Sequence, residues 1–154
     1  MFLEKREMKQ YRTGNWRVYL VNATYIRKRW DTNFTMGGHH YVYPWIPEYE
    51  VWIADELPPY ERKMTVLHEF TEIIPMSQGI KYEDAHHHYA NKAEGKARHG
   101  GDLDKMLENV MQRVANANGE ASHLNGHIHH KIHGNPEYHA HKRRTQYTEV
   151  SRIS

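Results

Sequence analysis

The 154-residue chain contains no cysteine and no long run of apolar residues. The lack of cysteine excludes a disulfide scaffold and every thiolate metal site, so a bound metal would need His, Asp, Glu or water as ligands. Apolar residue types make up only 38% of the chain, and we therefore predict one domain with a small core. The formal net charge is only +2, which is too small to indicate nucleic-acid binding by itself.

The first ten residues, MFLEKREMKQ, are charged from the fourth position onward. They lack the apolar stretch of a signal peptide, and the sequence offers no apolar segment of the length that a membrane helix needs. We therefore expect a cytoplasmic protein that does not interact with a membrane.

The predicted elements run from strands to helices. Residues 16–21 and 50–54 are rich in β-branched and aromatic residues and predict two strands. Residues 1–12 predict a short helix or a loose arm, and residues 23–30 a short helix or a further strand. The glycine pair at 37–38 predicts a turn.

Three helices are predicted in the second half. Pro58 and Pro59 open the first, which we expect to end or kink at Pro75. The second covers residues 82–98. Asp102 caps the third, whose core-spaced residues are Leu103, Met106, Leu107, Val110, Met111 and Val114.

This order of elements predicts an α+β fold with a small antiparallel sheet packed on a helical half. We assign residues 1–117 to one domain. Residues 118–154 are rich in Gly, Asn, His and basic residues, and they predict a poorly packed or disordered tail.

The segment LHEFTEIIP, residues 67–75, lies on the first predicted helix. His68 and Glu72 are four residues apart, so their side chains lie one turn apart and could bind one ion. Glu69 is rotated by about 100° from His68, which places it beside such an ion without ligating it. A pattern of this kind arises by chance in roughly one shuffled chain in ten, and a solvated helical face would also explain it.

A third ligand is expected near the start of the second predicted helix. His86, His87 and His88 are consecutive, so on an α-helix only one of them can face the ion. We select His86 because it shares a face with the small residues Ala90 and Ala93. His87 and then Asp84 are the alternatives, and Glu94 is either an acceptor that orients His86 or a solvated side chain.

The pattern HEFTE, followed by Gly79, Tyr82, Ala85-His86, Ala90-Asn91 and Glu94, resembles small zincin-like proteins of phages and prokaryotes. The resemblance covers roughly residues 35–98. The chain also resembles the gluzincins, zinc peptidases with His-Glu-x-x-His and a downstream Glu, but with two ligands exchanged.

The resemblance implies a zincin-like metallopeptidase in which His68, Glu72 and His86 bind Zn²⁺. Glu69 would then act as general base on a zinc-activated water that attacks a peptide bond. Tyr82, Tyr89 and His39 are candidate donors to the carbonyl oxygen. In zincins the strand before the metal helix often aligns the substrate, so residues 50–54 are either such an edge strand or an inner strand.

Seven histidines lie in the predicted tail: His123, His127, His129, His130, His133, His139 and His141. They suggest a second metal site or a metal-scavenging segment. The stretch NGHIHHKIHGNP faintly resembles the start of an H-N-H nuclease finger. The simplest interpretation is a flexible polar tail whose basic cluster at 142–144 either aids solubility or makes weak contacts with nucleic-acid phosphates.

Three functions are therefore under consideration. The first is a zinc-dependent hydrolase, with a peptide or protein as substrate. The second is a binding or regulatory protein that zinc stabilises without turnover. The third is a metal-dependent protein that acts on nucleic acid through the tail.

Overall fold

A computed structural model describes residues 3–121. Its elements in chain order are β1 (Lys5–Glu7), a 3-10 turn (Lys9–Tyr11), β2 (Arg17–Val21), α1 (Ala23–Arg29), β3 (Gly37–His39), β4 (Glu50–Ala54), α2 (Pro59–Ser77), α3 (Tyr82–Asp84), a π-helical segment (Ala85–Ala90), α4 (Asn91–Arg98) and α5 (Leu103–Ala121). The predicted α+β class is confirmed. The N-terminal residues form a strand and a 3-10 turn, and residues 23–29 form a helix.

The four strands form one sheet in the order β1-β2-β4-β3. The central pair β2–β4 is parallel, with Tyr19 opposite Trp52, whereas β1 and β3 run antiparallel to their neighbours. The expectation of a wholly antiparallel sheet was therefore wrong. The long connection that contains α1 and β3 allows the parallel pairing, because parallel strands need a crossover rather than a hairpin.

Strand β4 is paired on both sides, with β2 and with β3. It is therefore an inner strand, and the alternative in which it aligns a substrate by edge pairing is wrong. The edge strand on this side of the sheet is β3. Its residues Gly37, Gly38 and His39 are all buried.

The glycine pair belongs to β3, so the turn predicted there was wrong. A Cβ on Gly37 would lie 2.8 Å from the carbonyl oxygen of Trp52, and one on Gly38 would lie 2.5 Å from the ring of Tyr43. These glycines therefore allow close packing rather than a reversal of the chain. This packing brings the next residue, His39, into the interior.

Helix α2 lies at the centre of the described structure. It contacts β3 and β4 on one side and the π-helical segment, α4 and α5 on the other. Most of its residues from Met64 onward are consequently buried. The helix passes through Pro75 and ends at Ser77, so of the two predicted alternatives, an end or a kink at Pro75, the end was wrong. Pro75 has no N–H to donate to the carbonyl oxygen of Thr71, so the helix continues with one backbone hydrogen bond fewer at this point.

The second predicted helix is a continuous helical stretch with a π-helical centre. In the π-helical segment, the backbone N–H of Asn91 bonds to the carbonyl oxygen of His86, an i to i+5 step. The third helix, α5, is capped as predicted, since the Asp102 side chain accepts from the Lys105 N–H at 3.1 Å. Its residues Leu107, Val110 and Val114 are buried.

Helix α5 continues to residue 121, past the predicted domain boundary at 117. The rest of the predicted tail lies outside the described residues, so its structure stays a prediction. Within residues 3–121, no helix combines the length and the apolar character needed to cross a membrane.

The close packing at Gly38 can be tested with a matched glycine pair. Gly38→Ala would force a methyl group into the Tyr43 ring and should lower the free energy of unfolding by about 1–3 kcal/mol. Gly95, in α4, has no atom within 4 Å of the position that an added methyl group would take, so Gly95→Ala should raise stability by about 0.5–1 kcal/mol. Urea unfolding measures both, and equal effects of the two changes would contradict this packing.

Candidate metal centre

Helix α2 and the π-helical segment bring three side chains together. His68 Nε2 lies 3.1 Å from His86 Nδ1 and 3.3 Å from Glu72 Oε2, and His86 Nδ1 lies 3.0 Å from the same oxygen. His68 and Glu72 are adjacent because they are one helical turn apart. The three residues selected from the sequence as metal ligands therefore meet at one point.

The spacing of these atoms fits a small divalent ion. Zinc forms bonds of about 2.0–2.1 Å to nitrogen and oxygen, so neighbouring ligand atoms of a tetrahedral site lie about 3.3 Å apart. The three atoms of His68, Glu72 and His86 form a triangle whose sides are 3.0–3.3 Å. Two imidazoles and one carboxylate are also a ligand set that zinc accepts. The cluster could hold a metal ion.

A carboxylate orients the His68 ring through the nitrogen that does not face the cluster. Its Nδ1 donates to Glu94 Oε1 at 3.2 Å, and Arg98 lies 3.5 Å from the other oxygen of Glu94. Arg98 also forms a 2.8 Å ion pair with Glu61 in the first turn of α2. A carboxylate on one imidazole nitrogen directs the other nitrogen toward a metal, and here Nε2 faces the cluster. Glu94 therefore orients His68 and not His86.

The π-helical segment determines the position of His86. Its wider turn changes the rotation between successive side chains relative to an α-helix, so the α-helical spacing used to select His86 does not describe the backbone there. His86 is buried, and the ring of Tyr82 lies 5.0 Å from its ring. His87 and Asp84 are exposed, and among residues 3–121 neither belongs to a group of side chains that could hold a metal ion.

The second oxygen of Glu72 faces a different histidine. His39 Nε2 lies 2.8 Å from Glu72 Oε1 and 3.6 Å from Glu69 Oε2. His39 Nδ1 has no hydrogen-bond partner within the described part of the chain, so the tautomer with hydrogen on Nε2 is favoured. In the metal-free protein Nε2–H then donates to Glu72, and a cation bound at Nε2 would require the hydrogen to move to Nδ1. His39, Glu69 and Glu72 form a second group that could hold a metal ion.

The centre is nearly enclosed and rich in negative charge. Glu72 and His39 are fully buried, Glu69 is 4% exposed, and the His68 side chain is the most open at 13%. Burial alone would lower the pKa of His68, but hydrogen bonds with Glu72 and Glu94 raise it to about 10. In the metal-free protein a proton on His68 thus partly balances the carboxylates. Buried charges need such partners or a metal ion.

The residues predicted to donate to a carbonyl oxygen have different environments. Tyr82 is buried and packs against His86, whereas Tyr89 is 41% exposed. His39 is buried and contacts the Glu72 carboxylate. The sequence indicated His39 as a candidate donor but not as a partner of Glu72. The local sequence carries no signal for this contact, because it arises only when β3 pairs with β4 and β4 packs on α2.

No family model matches this chain. No curated protein matches it, and no solved structure does. The resemblance to zincin-like proteins therefore stays a prediction that depends on the HEFTE segment and the residues downstream. The histidine-rich stretch and its H-N-H-like pattern lie outside the described residues.

The pair His86 and His87 provides a matched test of metal binding. His86→Ala should lower the zinc retained after dialysis by one equivalent per chain, because one of three ligands is lost. His87→Ala should leave the zinc content unchanged, since its side chain is exposed. Mass-spectrometric metal analysis measures both. Histidines elsewhere in the chain contribute equally to both variants, and an equal loss in the two would contradict this ligand assignment.

The orienting carboxylate can be tested separately. Glu94→Gln removes the charge behind His68 and should weaken zinc affinity by about tenfold, the lower end of the effect of such partners. Glu108→Gln removes an exposed glutamate charge on α5 and should leave the affinity unchanged. Competition with a chromogenic chelator measures both affinities. An unchanged affinity in Glu94→Gln would show that this contact does not support the site.

Proposed function

We propose that the protein is a zinc-dependent hydrolase, and specifically a metallopeptidase. His68, Glu72 and His86 would hold the ion, and Glu69 would act as general base. The observation that carries this proposal is the triangle of two imidazole nitrogens and one carboxylate oxygen, with sides of 3.0–3.3 Å. Three protein ligands leave a coordination position for water or substrate, as in catalytic zinc sites.

Zinc bound by such a ligand set lowers the pKa of a coordinated water to about 7 and polarises a carbonyl oxygen. The position of Glu69 supports its role as general base. It directly follows His68 in α2, it is buried, and its charge contributes to the raised pKa of that imidazole. A buried carboxylate at this point is suited to accept a proton from the attacking water and pass it to the leaving nitrogen.

His39 supports the same arrangement from the sheet side. Its contacts with Glu72 and Glu69 restrain both carboxylates relative to β3. An ordered base is more effective because the proton transfer needs hydrogen-bond geometry. The choice of a peptide bond as the substrate depends on the resemblance of the HEFTE pattern to zincin-like proteins.

A second function, zinc as a purely structural element, is favoured by one observation. The least buried side chain of the ligand triangle, that of His68, is only 13% exposed. A structural site is closed to solvent, whereas a catalytic site must admit water and substrate. The two functions differ in what they require of Glu69, which a structural site does not need.

Glu69→Gln separates these two functions. If Glu69 is the general base, the variant should retain zinc and lose about 10²–10⁴-fold in the rate of peptide hydrolysis. The rate is followed with a fluorogenic peptide library, and zinc content is measured on the same preparation. Glu108→Gln is the matched control and should hydrolyse peptides like the wild type.

Two results would contradict the proposal. One is a zinc-loaded wild type that hydrolyses no peptide in the library. The other is an unchanged hydrolysis rate in zinc-loaded Glu69→Gln. If the wild type is inactive and zinc strongly raises its melting temperature, the structural role is the better account.

A further inference from the structure

We infer that His39, Glu69 and Glu72 form a second divalent-cation site that shares Glu72 with the first. The second site lies in the same centre as the proposed hydrolase site, but it does not depend on whether the protein hydrolyses peptides. The three donor atoms come from β3 and α2 and lie within 4.8 Å of one another. The site would take a divalent transition-metal ion such as zinc or cobalt.

The two oxygens of Glu72 face opposite groups of ligands. Oε2 lies 3.0 Å from His86 Nδ1 and 3.3 Å from His68 Nε2, whereas Oε1 lies 2.8 Å from His39 Nε2. A carboxylate so placed can bind one ion through each oxygen. Many hydrolytic enzymes use pairs of metal ions about 3.5–4 Å apart.

The surroundings favour a cation at this second position. Glu69 and Glu72 are buried carboxylates next to each other, and His39 is fully buried beside both. Carboxylates removed from water require a compensating charge. One divalent ion at the first position balances two carboxylates. Glu94 adds a third negative charge next to His68. Arg98 contacts the other oxygen of Glu94, but Arg98 also pairs with Glu61 and so does not neutralise Glu94 alone.

The second site should bind zinc more weakly than the first. It has one imidazole and two carboxylates, whereas the first has two imidazoles, which suit zinc better. An ion already bound to Glu72 also repels a second cation close by. The two sites therefore fill in sequence, first at His68 and His86 and then at His39 and Glu69.

Filling of the second site would change the role of Glu69. A carboxylate that ligates a cation is a weaker base, because the nearby positive charge lowers its pKa, so it accepts the proton of an attacking water less readily. If the proposed function is correct, hydrolysis should rise with the first equivalent of zinc and fall as the second site fills. Through Glu69, the rate of hydrolysis would then depend on the cation concentration.

Electron paramagnetic resonance with Co²⁺ tests the second site without measuring activity. The full chain is titrated with Co²⁺ up to and beyond two equivalents. Two ions bridged by one carboxylate couple magnetically, so the signal of the first ion should lose intensity as the second binds. Co²⁺ bound to distant histidines stays uncoupled and only adds signal.

His39→Asn and Glu69→Gln provide two independent variants. Each removes one ligand of the second site and none of the first, so each should bind the first Co²⁺ and lose the coupling. Circular dichroism verifies that each variant is folded, and two variants guard against misfolding of one. Glu108→Gln should behave like the wild type.

The outcomes separate this inference from the proposed function. A wild-type signal that grows steadily through the second equivalent, as in both variants, would overturn the second site and leave the hydrolase proposal intact. Coupling in the wild type without any peptide hydrolysis would support the second site and contradict the hydrolase. Coupling that persists in both folded variants would also overturn the second site.

Discussion

The candidate metal centre depends on the contacts of one group, the Glu72 carboxylate. It is fully buried on α2, one oxygen contacts His39 of β3, and the other contacts His68 and His86. One side chain therefore connects the sheet edge, the central helix and the π-helical segment. Burying this carboxylate without these partners would be costly, so its contacts stabilise the packing of the three elements in this relation.

The same contact explains why the centre suits a metal ion. Glu69 and Glu72 place two negative charges in the interior, and without metal the main compensation is a proton on His68 whose pKa is raised to about 10. A divalent ion bound there would replace that proton and compensate both charges. Metal binding and folding would then be coupled, whether the ion serves catalysis or stability. The outer contacts of Glu94 and Arg98 keep His68 directed toward this position.

The sequence predicted well those features that arise from local periodicity and local capping. The i, i+4 spacing placed His68 and Glu72 on one helical face, the paired prolines marked the start of α2, and Asp102 capped α5. These features depend on neighbours within a few residues, which a single sequence contains.

Features that depend on distant packing could not be predicted in this way. The sequence of the π-helical segment predicts an ordinary α-helix. The glycines of β3 predict a turn, and only the structure shows that they pack against Tyr43 and Trp52. His39 meets Glu72 only because β3 pairs with β4 and β4 packs on α2. Such long-range contacts have no signature in local periodicity.

X-ray absorption at the zinc edge is the most direct test of the Glu72-centred site. The protein is loaded with one equivalent of zinc, and its spectrum is compared with that of Glu72→Gln. The account predicts two imidazoles and one carboxylate around zinc in the wild type, and a different environment in the variant. A spectrum of imidazoles alone, identical in the two proteins, would place the zinc elsewhere and contradict the account.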